Sequence, residues 1–294
     1  MHGPLVSTCA GSLRRVSSNV ARRPTTAVRV QAWADAMWRE RPDRIVTEEP
    51  MEIRIHTPGR DAEPLAVIMR TPGHDFELAV GFCVTEGIIE SAADLAEVRY
   101  CLGPDAEQEY NVVTVATRGP VDLAGRARTF ASSASCGICG KATLDQLEVT
   151  CAPLGEGPRV SVSTLVELPG RLRIGQTVFD ATGGLHAAGL FSADGTLRIA
   201  REDVGRHNAV DKLIGHAALA SELPLDDEVL VVSGRVSFEI VQKAARAGIT
   251  VLVAVSAPSS LAVATADRFG MTLVGFVRDG RANVYTGAAR VETA

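Results

Sequence analysis

Three short apolar runs near the C-terminus, separated by helix-length segments, are the strongest constraint on the fold. The runs span residues 229–233, 250–256 and 271–277, and residues 236–247 and 258–269 between them have helical patterns. Continuous apolar runs of this length are typical of strands that are buried on both faces of a sheet. The alternation of strand and helix therefore predicts an α/β fold, with parallel strands and helices packed on the sheet.

The segments before this core predict a smaller α+β region. Residues 51–56 alternate like a half-buried strand, a Pro58-Gly59 turn follows, and a helix begins near Asp75 and closes at Gly87. The predicted organisation is an extension at residues 1–44, an α+β region at 45–131, a cysteine loop and helix at 132–150, an α/β domain at 151–288 and a tail at 289–294.

The first 34 residues contain five arginines and no acidic residue. A transit peptide or a basic binding arm is one interpretation of this composition. The segment has no regular amphipathic period, which favours a disordered basic extension.

Composition narrows the classes of function. The chain has 294 residues and a formal net charge of −5, so no global basic field for nucleic acid is present. No apolar run is long enough for a transmembrane helix, and no secretory signal is evident. The six cysteines are mostly scattered rather than arranged as a disulfide framework, so we expect reduced thiols in a cytoplasmic protein.

Cys136 and Cys139 lie in the small-residue loop Ala131-Ser132-Ser133-Ala134-Ser135-Cys136-Gly137-Ile138-Cys139-Gly140. Small neighbours leave sulfur accessible to a large partner, and the predicted helix at 141–149 would place the thiols near its positive end, which favours thiolate. The spacing of Cys136 and Cys139 is compatible with three interpretations: reactive or sulfur-carrying thiols, part of a metal site, or two cysteines that are close by chance. No second Cys or His pair supports a zinc site, so no metal site is predicted.

Three further segments are candidates for binding an anion. Thr182-Gly183-Gly184 runs into a strand at His186, and such a turn can offer backbone N–H groups to an anion. Arg206 and His207 open a predicted helix within a strongly charged loop at 201–212, which suits a phosphate. The alternatives are a structural histidine at a strand start and a solvated charged face.

The third segment follows the last of the three apolar runs. It consists of Phe276, Val277, Arg278, Asp279, Gly280 and Arg281. An aromatic ring and two arginines at a strand end suit a purine and its phosphates. The Walker and Gly-x-Gly-x-x-Gly patterns are absent, so ordinary NTP or NAD binding is not supported.

Several motifs together resemble the FdhD family of formate dehydrogenase accessory proteins. They occur in the family's order over residues 45–286. The matching segments are residues 69–75, Ser135 to Gly140, Thr182 to His186, Glu202 to Lys212 and Ser233-Gly234-Arg235.

The resemblance implies a cytidine-deaminase-like three-layer α/β fold and a homodimer. It also implies a sulfurtransferase that takes sulfur from a cysteine desulfurase and passes it to a substrate, the molybdenum cofactor in its bis-molybdopterin guanine dinucleotide form, for formate dehydrogenase. Cys136 would carry the persulfide, with Cys139 as its partner. Residues 276–281 would contact the cofactor, together with the glycine turn at 182–184, His186, Arg206 and His207.

Two other functions remain as alternatives at this stage. The protein could be a non-catalytic chaperone that binds and delivers the cofactor. It could also be a zinc nucleoside deaminase, but the His-x-Glu and Pro-Cys-x-x-Cys signature is missing from the sequence.

Overall fold

The structure is a computed structural model that describes residues 22–101, 110–121, 151 and 154–293. Its elements, in chain order, are β1 Thr25–Ala34, β2 Met37–Val46, β3 Glu49–His56, β4 Glu63–Arg70, α1 Asp75–Thr85, β5 Leu95–Tyr100, β6 Val112–Thr117, β7 Val160–Ser161, α2 Val162–Ile174, α3 Thr177–Thr182, β8 His186–Phe191, β9 Leu197–Asp203, α4 Arg206–Leu219, β10 Val229–Val232, α5 Phe238–Arg246, β11 Val251–Ala254, α6 Ser260–Arg268, β12 Thr272–Arg278, β13 Arg281–Thr286 and β14 Val291–Glu292.

A six-stranded sheet with the order β13-β12-β11-β10-β8-β9 forms the centre of the larger part. Strands β10, β11 and β12 are parallel, as their apolar runs predict, whereas β8, β9 and β13 pair antiparallel with their neighbours. The mixed α/β class predicted from the sequence is therefore confirmed.

Alternate residues of the parallel strands enter different layers. Leu230 and Val232 belong to a core shared with α1, α4, α5 and α6, whereas Val229 and Val231 belong to a second core shared with α2. A strand places successive side chains on opposite faces, so unbroken apolar runs bury both sides of this sheet. The result is a layer of helices on each face.

The N-terminal region forms a separate four-stranded sheet with the order β4-β3-β6-β5. Helix α1 packs its buried face against this sheet and against α4 of the larger part, so the two parts share one core. The predicted strands and helix of this region are confirmed within a few residues at their ends.

Residues 22–46 differ from the predicted disordered extension. Strands β1 and β2 form a two-stranded hairpin in which Trp33 pairs with Trp38. Both strands are largely exposed, but at the base Val46 lies against the backbone of Gly184. The apolar residues of this segment alone give no clear pattern. The segment is held in a defined conformation by the long antiparallel ladder and by the contact between Val46 and Gly184.

None of the described helices combines the length and the apolar character needed to span a bilayer.

Candidate functional site

The described candidates for nucleotide binding lie along one edge of the six-stranded sheet. The carboxyl ends of β10, β11 and β12 share this edge because the three strands are parallel. Strand β8 runs antiparallel to β10, so it begins here at His186, where β9 ends opposite it at Asp203. Ligands of open α/β sheets bind at such an edge, so the topology brings distant sequence segments to one place.

His186 and Arg206 flank the glycine that follows β10. A Cβ atom built on Gly234 would lie 3.2 Å from His186 Nδ1 and 3.8 Å from Arg206 Cβ, so the two side chains border the same small space. Burial, together with the positive charges of Arg206 and Arg235, lowers the pKa of His186 below its ordinary value. The imidazole is therefore held in its neutral form beside two guanidinium groups.

His207 occupies the next position of α4 and reaches toward α5. Its Nε2 lies 3.1 Å from Ser237 Oγ and 3.7 Å from Glu239 Oε2. Burial and the charges of Arg206 and Lys243 lower the pKa of His207 to about 4. Near neutral pH the ring is uncharged, so it can position a hydroxyl or a ligand without adding a further positive charge.

The lowered pKa of His207 predicts a pH effect on stability. The ordinary pKa of this side chain is 6.5. Between about pH 6.5 and 4, His207 is therefore protonated in the unfolded chain and neutral in the folded chain. Stability is fully present above this window and falls as the pH falls through it. His207→Gln removes this dependence, so on going from about pH 7 to about pH 5 the wild type should lose on the order of 1 kcal/mol more than the variant in urea unfolding. Equal losses in the two proteins would contradict the environment described for His207.

The segment Thr182-Gly183-Gly184 departs from its expected role. A short helix, α3, precedes it, and Gly183 ends that helix with a φ of 68°. The Gly183 N–H donates to Phe179 O at 2.7 Å, and the Gly184 N–H lies 3.4 Å from Thr182 Oγ1. These N–H groups are therefore directed within the chain rather than offered to an anion, because they close α3.

Glu202 holds the start of α3 in place. Its carboxylate accepts the backbone N–H groups of Val178 at 2.9 Å and Phe179 at 2.8 Å. A carboxylate is stabilising at a helix N-terminus, where the first N–H groups have no partner within the helix. Glu202 thus links the charged loop to the glycine turn, although the two segments look independent in the sequence.

The segment 276–281 extends β12 past the neighbouring strand ends and turns back as β13. Phe276 has a φ of 53°, and its N–H donates to Ser256 O at 3.1 Å. Asp279 and Gly280 both have positive φ, as a tight two-residue turn between β12 and β13 requires. The ring of Phe276 is half-buried, and the Arg278 guanidinium carbon lies 5.8 Å from its centroid.

Within this segment the six predicted residues differ in what they can contact. Arg278 and Arg281 pair across the hairpin, and both side chains are exposed. Val277 is fully buried in the core beneath the sheet, so its side chain cannot reach a ligand. The segment is three strand spacings from His186, about 15 Å along the edge.

The arginines at this edge are not neutralised by ion pairs. Within the described ranges, Arg206, Arg235, Arg278 and Arg281 make no salt bridge with a carboxylate, and the buried Nε of Arg206 has no hydrogen-bond partner. A buried donor without a protein partner is costly, so Arg206 Nε has a hydrogen bond to give to a ligand or to water. The edge is thus locally cationic in a chain that is acidic overall.

The predicted cysteine loop lies outside the described residues, and so do Cys136 and Cys139. Of the cysteines that the structure describes, Cys83 and Cys151 are buried and Cys101 is half-buried. Burial raises the pKa of the Cys83 thiol, which makes it a poor nucleophile. Over the same described ranges, no group of three or more His, Cys, Asp or Glu side chains is arranged to hold a metal ion.

Sequence reasoning missed the role of Glu239. Burial acts against ionisation, but the hydrogen bond from Ser237 and that from its own backbone N–H hold the pKa of Glu239 below its ordinary value. Its position in the first turn of a predicted helix is one where a carboxylate is stabilised by the helix dipole. The partner His207 is distant in sequence, so only the fold reveals the contact.

Arg70, in the matched motif at residues 69–75, has a structural role. Arg70 is fully buried and makes two hydrogen bonds to Asp75, each 3.0 Å long, and a third to Glu49 at 3.2 Å. This pairing fixes the end of β4 against the start of α1.

The chain is similar to known proteins of one family. The model of the FdhD/NarQ family matches residues 46–292. A protein of Streptomyces coelicolor named sulfur carrier protein FdhD is 51% identical over 267 residues, covering 85% of this chain and 90% of that protein. Its namesake in Sulfurisphaera tokodaii is 43% identical over 261 residues, covering 85% of this chain and 92% of that protein.

A solved structure shares the fold. It is a chain described as a formate dehydrogenase accessory protein from Desulfotalea psychrophila, with a TM-score of 0.70 at 24% identity, covering 91% of this chain and 99% of that chain. The chain is thus an α/β protein with the fold of that structure. With its sequence matched by the family model over most of its length, the chain belongs to the FdhD/NarQ family.

Proposed function

We propose that this protein is a sulfur carrier that moves persulfide sulfur from a cysteine desulfurase to the molybdenum cofactor, for activation of a formate dehydrogenase. Membership of the FdhD/NarQ family and the names of the curated relatives support the sulfur-carrier role. The cofactor, in its bis-molybdopterin guanine dinucleotide form, is a substrate. The proposal includes a homodimer and the cytidine-deaminase-like form of the fold.

The sulfur-loading step requires a thiolate and a persulfide donor. The Cys136 thiolate attacks the outer sulfur of the donor's cysteine persulfide, a new S–S bond forms at Cys136, and the donor leaves as its cysteine thiolate. No net oxidant is consumed, because the sulfane sulfur keeps its oxidation level. Cys139 is a partner thiol that assists release of sulfur to the acceptor.

The cationic sheet edge is the observation that carries the substrate assignment. Each guanine dinucleotide arm has a pyrophosphate, which needs guanidinium groups that are free of internal carboxylates. Arg206 makes no direct ion pair with the residues that the structure describes, although its charge helps to lower the pKa of nearby Glu239, and it lies beside two neutral histidines. Phe276 offers a ring face for a purine between Arg278 and Arg281. His186, His207 and the segment 276–281 would hold the arms.

Intact-protein mass spectrometry tests the sulfur-carrier role. After incubation with a cysteine desulfurase and cysteine, the chain should gain about 32 Da for each sulfur atom, and a thiol reductant should reverse the gain. A chain that never gains this mass, but still binds the cofactor and activates the dehydrogenase, would instead favour the non-catalytic chaperone. Metal analysis of the purified protein tests the deaminase alternative.

Guanine nucleotides should bind the sheet edge as surrogates for the cofactor arms. We expect GDP to bind more tightly than ADP, and Arg206→Met to weaken GDP binding about tenfold or more, because one charge-assisted contact contributes about 1.5–3 kcal/mol. Isothermal titration calorimetry measures both effects.

Arg60→Met is the matched control for this measurement. Arg60 is an exposed arginine in the β3–β4 turn of the other sheet, and its replacement should leave GDP affinity unchanged. Equal affinities for GDP and ADP would contradict specific recognition of the guanine base. Absence of binding by either nucleotide would remove the nucleotide site.

A further inference from the structure

A buried polar cluster lies directly beneath the residues that open α4. It consists of Thr71, Asp203, Asn208 and Lys212, and we call it the Asp203 cluster. Asp203 and Lys212 form an ion pair of 2.7 Å, and both side chains are almost completely inaccessible to solvent. The cluster therefore cannot contact a substrate, and the sulfur-transfer chemistry does not use it.

The Asp203 carboxylate determines how the chain enters α4. Its Oδ1 accepts the backbone N–H of Gly205 at 2.9 Å and the side-chain amide of Asn208 at 2.8 Å. Gly205 is the residue immediately before the helix, so these two bonds fix the first turn. Arg206 and His207 are the first two residues of that turn, and their direction follows from its orientation.

The N-terminal region completes the cluster from the other side. The Thr71 N–H donates to Asp203 Oδ2 at 3.2 Å, and the Val204 N–H donates to Thr71 Oγ1 at 3.2 Å. Lys212 Nζ donates to Thr71 O at 3.0 Å, and the Asn208 amide donates to Met69 O at 2.8 Å. The end of β4 and the charged loop are thereby joined by hydrogen bonds in which each segment both donates and accepts.

We propose that the Asp203 cluster positions Arg206 and His207 for the nucleotide arms, so that Thr71, in the N-terminal region, is a positioning residue for binding at the sheet edge. The inference rests on the proposed function of that edge. Side chains that bind a pyrophosphate, such as Arg206, must be held in one orientation. Buried polar groups whose hydrogen bonds are all made can hold the helix start that carries them. The segments at 69–75 and 202–212 therefore complete each other's hydrogen bonds.

A second buried cluster on the same helix provides a matched control. Asp211 and Lys243 form an ion pair of 2.9 Å, and Thr85 Oγ1 donates to Asp211 Oδ1 at 2.8 Å. Thr85 is as buried as Thr71. Thr71→Val removes the hydroxyl that accepts the Val204 N–H at the start of α4, and leaves the backbone bonds of Thr71 to Asp203 and Lys212 in place. Thr85→Val removes a hydroxyl that bonds Asp211 and Lys243 along the body of α4, so it is the more disruptive of two changes that keep the side-chain shape.

The test compares the two variants in GDP titration, thermal unfolding and persulfide loading. We expect both to lower the unfolding midpoint, and we expect both to gain the persulfide mass with a desulfurase as the wild type does. Thr71→Val should weaken GDP binding about tenfold and shift the His207 titration seen by NMR, whereas Thr85→Val should bind GDP within about twofold of the wild type.

The outcomes separate this inference from the function on which it rests. If the wild type binds GDP and Thr71→Val binds it equally well, or if both variants lose affinity in proportion to their stability, the positioning role is overturned. If the wild type binds no guanine nucleotide, the proposed nucleotide site fails, and the positioning role fails with it.

Discussion

Cys136→Ala should abolish both the persulfide mass gain and the activation of formate dehydrogenase. The thiolate is the atom that accepts sulfur, and alanine offers no replacement, so the loss should be complete rather than partial. Intact mass spectrometry with a desulfurase and cysteine measures loading, and an activation assay with the dehydrogenase measures transfer.

The other cysteines provide the controls for this result. Cys101→Ala should retain the mass gain, because Cys101 is a half-buried thiol whose sulfur lies 2.9 Å from Thr114 Oγ1 in the N-terminal sheet. Cys139→Ala should still load sulfur and release it more slowly, because a partner thiol assists transfer. Full activation by Cys136→Ala would remove Cys136 from its role and leave cofactor delivery without sulfur transfer as the better explanation.

The larger sheet could be predicted from the sequence because its signals are local. Unbroken apolar runs identify β10, β11 and β12, and a glycine follows α5 at Gly248. The resulting topology places the ends of these strands along one edge, so the position of the segment 276–281 followed from the alternation of strands and helices alone.

The contacts that complete the site could not be predicted in this way. His207 meets Ser237 and Glu239 across two helices, and Thr71 meets Asp203 across two sheets. These partners are 30 or more residues apart, and no periodicity links them. The glycine turn at 182–184 also depends on local contacts that the motif does not show, since the Gly183 N–H donates to Phe179 O and the Gly184 N–H lies 3.4 Å from Thr182 Oγ1.

The hairpin at residues 25–46 was missed for a different reason. Its strands have little buried surface, and an isolated two-stranded ribbon has weak intrinsic stability in water. Composition therefore favoured disorder. The order comes from the ladder between the strands and from the contact of Val46 with Gly184, which depends on tertiary structure.

Gly81→Ala should destabilise the protein strongly, because α1 and α4 cross with their backbones in contact. A Cβ on Gly81 would lie 1.8 Å from the backbone oxygen of Asp211, and a Cβ on Gly215 would lie 1.8 Å from that of Glu77. A backbone oxygen within a helix cannot rotate away, so the helices would have to separate.

Separation of the two helices would also stretch the bond between Thr85 and Asp211, which spans the same contact at 2.8 Å. We expect a loss of about 3 kcal/mol or more in the free energy of unfolding, at the upper end for overpacking. Urea unfolding at neutral pH measures it. Gly170→Ala is the control: Gly170 lies in α2 with no atom within 4 Å of its added Cβ, so alanine should stabilise the helix by up to about 1 kcal/mol. A Gly81→Ala protein as stable as the wild type would mean that α1 and α4 are farther apart than this crossing requires, and that the shared core holding the N-terminal region to the sheet edge is looser than described.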